Sequence, residues 1–366
     1  MGSDGLLVLV VAAALAFDFT NGFHDTANAM ATSIATRALK PRLAVAMSAV
    51  LNFAGAFISI AVATTIAEGI VNNSEIELPV LFAGILGAIT WNLVTWLLGL
   101  PSSSSHALIG GVVGAALAAS GTSAVNGEGL LSEVIIPALL APILAGGVAI
   151  VATVVAYRLR ERMRESTSTR GFRLGQIGTA SLVSLAHGTN DAQKTMGVIT
   201  LALIAHGTLD PQNFTIPLWV KLAAATAIAL GTYAGGWRII RTLGQRVTDL
   251  ESPQGFSAES SGAAVILAAS YQGFPLSTTQ VVSGAVLGTG IGKRLATVHW
   301  DVAGRMVTAW LLTLPVAGAI AWAAFELSDA LGTRSAGAIV LAALAALCFA
   351  GLFALATRRP VSPADV

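Results

Sequence analysis

The sequence predicts an all-α polytopic membrane protein: two inverted-topology repeats with broken helices and helical hairpins, about 10–12 membrane helices in all. Three observations predict it. Of 366 residues, 55% are hydrophobic and 11% charged, whereas a soluble chain carries about 25% charged residues. Apolar runs near the length of a membrane helix recur along the whole chain. Two pairs of polar motifs interrupt those runs at corresponding places in the two halves, a pattern that points to a transporter binding site. The formal charge of +1 singles out no soluble partner; a lipid bilayer is expected and nucleic acid is not. The lone Cys348 excludes an internal disulfide. The opening Met-Gly-Ser-Asp has no basic n-region, so the first span is expected to be a retained helix.

In order, apolar segments fall at roughly 5–36, 43–67, 80–120, 134–157, 174–206, 215–237, 262–292, 302–326 and 336–357. Those at 5–36 and 174–206 are too long for one span and carry polar motifs, so each is expected to be a broken helix, or a helix plus a half-helix. Those at 80–120 and 262–292 contain a Pro-Ser/Thr break and are expected to be hairpins. Lys and Arg favour the cytoplasmic side. They mark five inside positions: Arg37, Lys40 and Arg42; Arg158, Arg160, Arg162, Arg164, Arg170 and Arg173; Arg238, Arg241 and Arg246; Lys293 and Arg294; Arg358 and Arg359. The loops at 68–79, 121–133 and 207–214 hold Asp or Glu without Lys or Arg and belong outside. Only one path satisfies these signs. The hairpin of the first half enters and leaves from outside, and that of the second half from inside. The expected organisation is a first repeat over 1–157, a basic cytoplasmic linker over 158–175, a second repeat over 176–326, and a C-terminal helix and tail over 327–366.

The first motif pair is Asn21-Gly22-Phe23-His24-Asp25-Thr26-Ala27-Asn28 and His187-Gly188-Thr189-Asn190-Asp191-Ala192-Gln193-Lys194. Asp191 follows Asp25 by 166 residues (191 − 25). An ionisable side chain at the centre of a membrane helix costs about 2.5–3.5 kcal/mol on insertion scales, so it faces a protein interior or a wet cavity. The second pair is Pro101-Ser102-Ser103-Ser104-Ser105-His106 and Pro275-Leu276-Ser277-Thr278-Thr279-Gln280. Pro followed by Ser or Thr ahead of an apolar run marks a helix start. Each tip is therefore expected to present a helix N-terminus and a row of hydroxyls, Ser103, Ser104 and Ser105 on one, Ser277, Thr278 and Thr279 on the other. Free N–H groups, the helix dipole and hydroxyl donors suit a tetrahedral oxyanion. Asp25 and Asp191 repel such an anion, but they can hold a cation beside it or carry a proton; Asn21, Asn28 and Asn190 add neutral oxygens and donors. The residues alone point to a cation-coupled oxyanion symporter.

Those four motifs resemble the duplicated signature and hairpin tips of the Pit-type inorganic phosphate transporters, and the likeness extends over Leu43 to Gly55 and Trp91 to Trp96. The resemblance implies phosphate uptake driven by a cation gradient, inverted repeats and a homodimer in the plasma membrane. It implies phosphate among the Ser/Thr tips, with Asn28 and Lys194 beside them, and cations or protons at the Asp-centred motifs. Lys194 stands where sodium-coupled members carry Asn, and Asn52 stands where eukaryotic relatives carry Glu. Both departures resemble the bacterial low-affinity branch, for which proton coupling and uptake of neutral metal–phosphate complexes are implied. No cofactor is expected beyond the coupling ion, H+ or Na+, and a divalent metal co-transported with phosphate. His24, His106 and His187, in or beside the motifs, are candidates to assist a proton. The rival readings are a sulfate symporter of the same fold, a passive channel, and an intramembrane hydrolase using His, Ser and Asp. The last does not require every polar element to be duplicated.

Overall fold

The structure, a computed structural model, describes residues 3–72, 76–210, 215–293, 298–331, 334–358 and 360–366. Arg294 and Arg359, two of the orientation markers, lie outside the described residues, as do 73–75 and 211–214 of the expected outside loops. Regular structure among the described residues is helical, apart from two isolated β-bridges, Val71–Val125 and Thr248–Val298.

The first half contains α1 (Ser3–Ala35), α2 (Pro41–Gly55), the short α3 (Ala61–Thr64), α4 (Leu78–Leu98), α5 (Ser104–Ser120), a single turn α6 (Gly127–Gly129) and α7 (Ile136–Glu161). The second contains α8 (Glu165–Ala205), α9 (Leu218–Ala234), α10 (Trp237–Gln245), α11 (Ser252–Tyr271), α12 (Thr278–Lys293) and α13 (Trp300–Ala330), and α14 (Arg334–Thr357) follows. By length and apolar composition six described helices qualify as spans, and a seventh if α9 and α10, bent by 67° at their junction, count as one. α8 and α11 are long enough, at 41 and 20 residues, but polar residues facing the protein interior dilute them.

The break expected in the two motif segments is absent. α1 and α8 run unbroken for 33 and 41 residues, roughly 50 and 60 Å at the helical rise. Polar side chains need not interrupt a membrane helix when neighbouring helices satisfy them. Gly22 and Gly188 serve close approach instead. A Cβ on Gly22 would lie 2.3 Å from the Ile228 carbonyl oxygen of α9, and one on Gly188 would lie 2.2 Å from that of Asn52 on α2. Small residues that let backbones touch are a means of membrane helix packing. Thus the motif helix of each half lies on the second helix of the other half. The hairpins repeat the exchange, α5 packing on α13 and α12 on α7.

The hairpin tips match in detail. Gly99 (φ +66°) ends α4 and Gly273 (φ +84°) ends the α11 turn, the left-handed backbone that favours glycine after a helix. Leu100 N donates to Thr95 O at 2.9 Å and Phe274 N to Ala269 O at 3.0 Å, closing the two helix ends alike. Pro101 and Pro275 then redirect the chain into α5 and α12.

The expected 158–175 linker is mostly helical: only 162–164 separate α7 from α8. Arg158 and Arg160 ride the last turn of α7, where cations complement the helix dipole. Arg160 and Lys293 both hold Glu251, at 2.5 and 2.6 Å, and so tie α7 and α12 to the start of α11. Apolar side chains stand exposed along α7 (Leu139, Ile143, Val151), α13 (Leu311) and α14 (Leu347, Phe353), as a lipid-facing surface requires.

Candidate functional site

The four motifs meet at one buried centre. Its scaffold is α1 and α8, which cross the molecule antiparallel. Thr32 and Ser33, after Asp25 on α1, share Glu259 with Gln176 and Thr179, which precede Asp191 on α8. At the other end, His206, just past α8, lies 3.1 Å from Asp4.

Ser103 and Ser277 cap the two tips. Ser103 Oγ accepts from His106 N at 3.1 Å and Ser277 Oγ from Gln280 N at 3.2 Å. The next two hydroxyls of each tip turn toward the carboxylates and Lys194. Ser104 Oγ donates to Asp25 Oδ2 at 2.6 Å and Thr279 Oγ1 donates to Asp25 Oδ1 at 3.2 Å, so one carboxylate receives both tips. Thr278 Oγ1 donates to Asp191 Oδ2 at 3.3 Å. Ser105 Oγ donates to Leu276 O at 3.0 Å, stitching tip to tip.

Asn28 and Lys194 hold equivalent places on α1 and α8, and each reaches across to the opposite tip. Asn28 Nδ2 donates to Thr278 and Thr279 at 3.3 and 2.9 Å. Lys194 Nζ donates to Ser105 Oγ and Asp191 Oδ1, both at 2.5 Å, and to Leu276 O at 2.7 Å. His24 lies 2.6 Å from Asp25 through Nδ1, and its Nε2 meets Thr95 at 3.2 Å and Ser102 at 3.3 Å. His187 Nε2 lies 3.0 Å from Asp191 Oδ2, with Nδ1 3.2 Å from Asn52 Oδ1. Asp25, His187 and Asp191 each offer one ligand atom within 4.8 Å of the others.

Asn21 and Asn190 stand apart from the tips. Asn190 Nδ2 donates to Ser270 Oγ at 2.8 Å and Phe274 O at 3.1 Å, bracing the α11 hairpin. Asn21 is buried with its Oδ1 unpartnered. His106 is 3.5 Å from Gln280, beside the tips.

Asp25, Asp191 and Lys194 are each exposed by no more than 1%. Removing one partner of such a buried pair costs about 3–5 kcal/mol, because the other charge is left without compensation. The arrangement gathers hydroxyl donors, two helix N-termini, two carboxylates and one ammonium into one buried, directly bonded cluster. The donors that hold carboxylate oxygens at the tips are of the kind that hold phosphoryl oxygens.

Sequence reasoning missed several of these groups. Thr95 and Ser102 orient His24, but nothing in their spacing ties them to Asp25. Glu259, buried at 2% exposure, accepts from Thr32 (2.6 Å), Ser33 (2.5 Å), Thr179 (2.6 Å) and Gln176 (3.2 Å). Its signal was an acidic residue just ahead of an apolar run, flanked by Ser257, Ser260 and Ser261. Asp18 opens the first polar stretch and is wholly buried, yet its spacing matched no partner.

The profile of the "Phosphate transporter family" matches residues 21–321. A Mycobacterium bovis protein named "Probable low-affinity inorganic phosphate transporter" is 56% identical over 361 residues, 99% of this chain and 86% of the relative. A Bacillus subtilis protein of the same name is 46% identical over 322 residues, 87% of this chain and 96% of the relative. The solved structure of a sodium-dependent phosphate transporter superposes on 89% of this chain and 99% of its own, with a TM-score of 0.80 and 25% identity.

Proposed function

The chain belongs to the phosphate transporter family and is a multi-pass protein of the plasma membrane, a transporter and not an enzyme; from that premise we propose that it imports inorganic phosphate by proton symport, alone or as a neutral metal–phosphate complex. The observation that carries the reading is the convergence of both hydroxyl tips on Asp25, with Lys194 bridging Asp191 to the same tips. A proton delivered to Asp25 removes the acceptor charge that engages Ser104 and Thr279, and so frees both hydroxyls for phosphate. The chain from Ser102 through Thr95 and His24 to Asp25 is a hydrogen-bonded route for that proton. Asp25, His187 and Asp191 are the groups that would face the metal of a metal–phosphate complex.

Lys194 supports protons over sodium. Its ammonium lies on Asp191 at 2.5 Å and supplies in fixed form the positive charge that a bound cation would bring. Antiparallel motif helices and exchanged packing support two inverted halves that open one site alternately to either side. The homodimer implied by the resemblance stays part of this reading.

Uptake of labelled phosphate into proteoliposomes tests it. Accumulation should follow an imposed proton gradient, and a sodium gradient alone should drive none. Lys194→Asn should either abolish uptake or make a sodium gradient effective. A sodium gradient that drives uptake in the unmodified protein, with the proton gradient collapsed, overturns this account of Lys194. Excess sulfate should not compete; equal competition would make the protein a general oxyanion symporter.

A further inference from the structure

Two adjoining cavities lie at the end of the bundle where the Arg clusters gather, away from the phosphate-site residues. Ala35, which lines the first, follows Asp25 by ten residues (35 − 25), roughly 15 Å along α1. That cavity, of about 360 Å³, sits between the end of α1, the last turn of α7, the opening turns of α8 and the start of α11. Arg37, Arg160 and Arg173 line it together with Thr36, Ser168 and Thr169. The second cavity, of about 630 Å³, shares Thr169 and Arg173 with the first and adds Arg170, Ala38, Leu174 and Ile177.

Four arginines and two glutamates line the pair. Glu251 already receives Arg160 and Lys293. That leaves Glu165 as the one acidic group against Arg37, Arg170 and Arg173, none of which is in an ion pair among the described residues. Ser168 is 1% exposed, and its hydroxyl is buried without a partner. Buried hydroxyls are ordinarily satisfied, so this one is a donor left for a ligand. Guanidinium groups and hydroxyls are what hold phosphate oxygens.

The apolar residues decide between a free anion and a lipid. Leu174 is 60% exposed, and Leu182 further along α8 is exposed as well. α2 packs on α8, and its Leu43 and Val50 are also exposed. The second cavity therefore opens onto the lipid-facing surface. A free anion gains nothing from that neighbour. A phospholipid has a phosphodiester for the arginines and an acyl chain for Leu174 and Ile177. Basic pockets between membrane helices on the cytoplasmic side suit anionic headgroups, and the Arg clusters put this end inside.

We propose that the two cavities form a site for one anionic phospholipid of the inner leaflet. Its phosphate lies among Arg37, Arg173 and Ser168, and an acyl chain runs along Leu174 and Ile177. The headgroup touches α1 and α7 of the first half and α8 and α11 of the second, so the lipid clamps the halves together where the chain passes from one to the other.

Native mass spectrometry of the purified full-length chain, delipidated in detergent and titrated with phosphatidylglycerol or with phosphatidylcholine of the same acyl chains, tests the site without any measurement of transport. Phosphatidylglycerol should bind first and more tightly. Arg37→Gln with Arg173→Gln should weaken it by about tenfold or more, since each basic residue near a membrane surface is worth about 1 kcal/mol toward an anionic lipid. Arg158→Gln with Arg162→Gln removes the same charge outside both cavities and should leave it unchanged. Leu174→Asn should weaken it severalfold. Size-exclusion profiles report folding; if the Arg37 and Arg173 double variant is not monodisperse, Ser168→Ala decides, with a severalfold loss expected. Equal binding of the two lipids by the unmodified chain overturns the proposal. So does an equal loss in the two double variants, or unchanged affinity in the deciding variant. Displacement of phosphatidylglycerol by millimolar inorganic phosphate, with no effect of Leu174→Asn, would make this a site for a free anion and overturn the lipid assignment.

Discussion

Asn28 and Lys194 occupy matching positions, and both donate across the centre to the opposite tip. One is neutral and one is charged, so the two halves share geometry but differ in electrostatics. Asp25 is met by hydroxyls and an imidazole, and Asp191 by a hydroxyl, an imidazole and, in addition, an ammonium. Asp25→Asn and Asp191→Asn should each abolish gradient-driven uptake while the protein still reaches the membrane. Uptake at the unmodified rate in either variant would remove that carboxylate from coupling. Ser104→Ala and Thr278→Ala should each raise the half-saturating phosphate concentration about fivefold, the equivalent of about 1 kcal/mol for one lost donor. Unchanged half-saturation in both would reduce these residues to scaffolding. The sequence made the carboxylates, Lys194 and the tip hydroxyls visible because each is polar inside an apolar run. It left Glu259 without a role, because its partners Thr32 and Ser33 on α1 and Thr179 on α8 reach it through the antiparallel crossing of those helices and not through spacing along the chain.

At the scale of elements, the hairpins were legible and the motif helices were not. Gly99 with Pro101, and Gly273 with Pro275, are local stop and start signals that act through backbone dihedrals. The polar clusters of α1 and α8 looked like breaks because partner helices that satisfy them lie far away in sequence. The opening turns of α11 escaped the hydropathy reading for a related reason: Gln254, Ser257 and Glu259 are buried in protein. Helix contact in α8 yields a sharp contrast between two glycines. Gly188→Ala would place a methyl 2.2 Å from Asn52 O, whereas Gly178 has nothing within 4 Å of its Cβ position. Gly188→Ala should therefore lose most folded protein by fluorescence-detected size exclusion. Gly178→Ala should fold as well as the unmodified chain or better, by up to about 1 kcal/mol from helix propensity. Equal yields of the two variants would mean that α2 can give way from α8.

At the scale of the whole molecule, the parity of charged loops leads to the expectation of two inverted halves, and the structure pairs the tips, glycines and donors of the two halves in atomic detail. What parity cannot express is that the halves are interleaved. α1 lies on α9, α8 on α2, α5 on α13 and α12 on α7. The consequence reaches back to biogenesis. When α5 and its serine-rich tip leave the ribosome, the helix that will cover them has not been made. The first half must wait in the membrane, its polar groups sheltered by provisional neighbours, until the second half arrives. Neither half is then a self-sufficient body, but the two need not be covalently joined. Severing the chain within 162–164 and expressing both pieces together should restore phosphate uptake, while each piece expressed alone should be cleared by quality-control proteolysis, as quantitative immunoblotting would show.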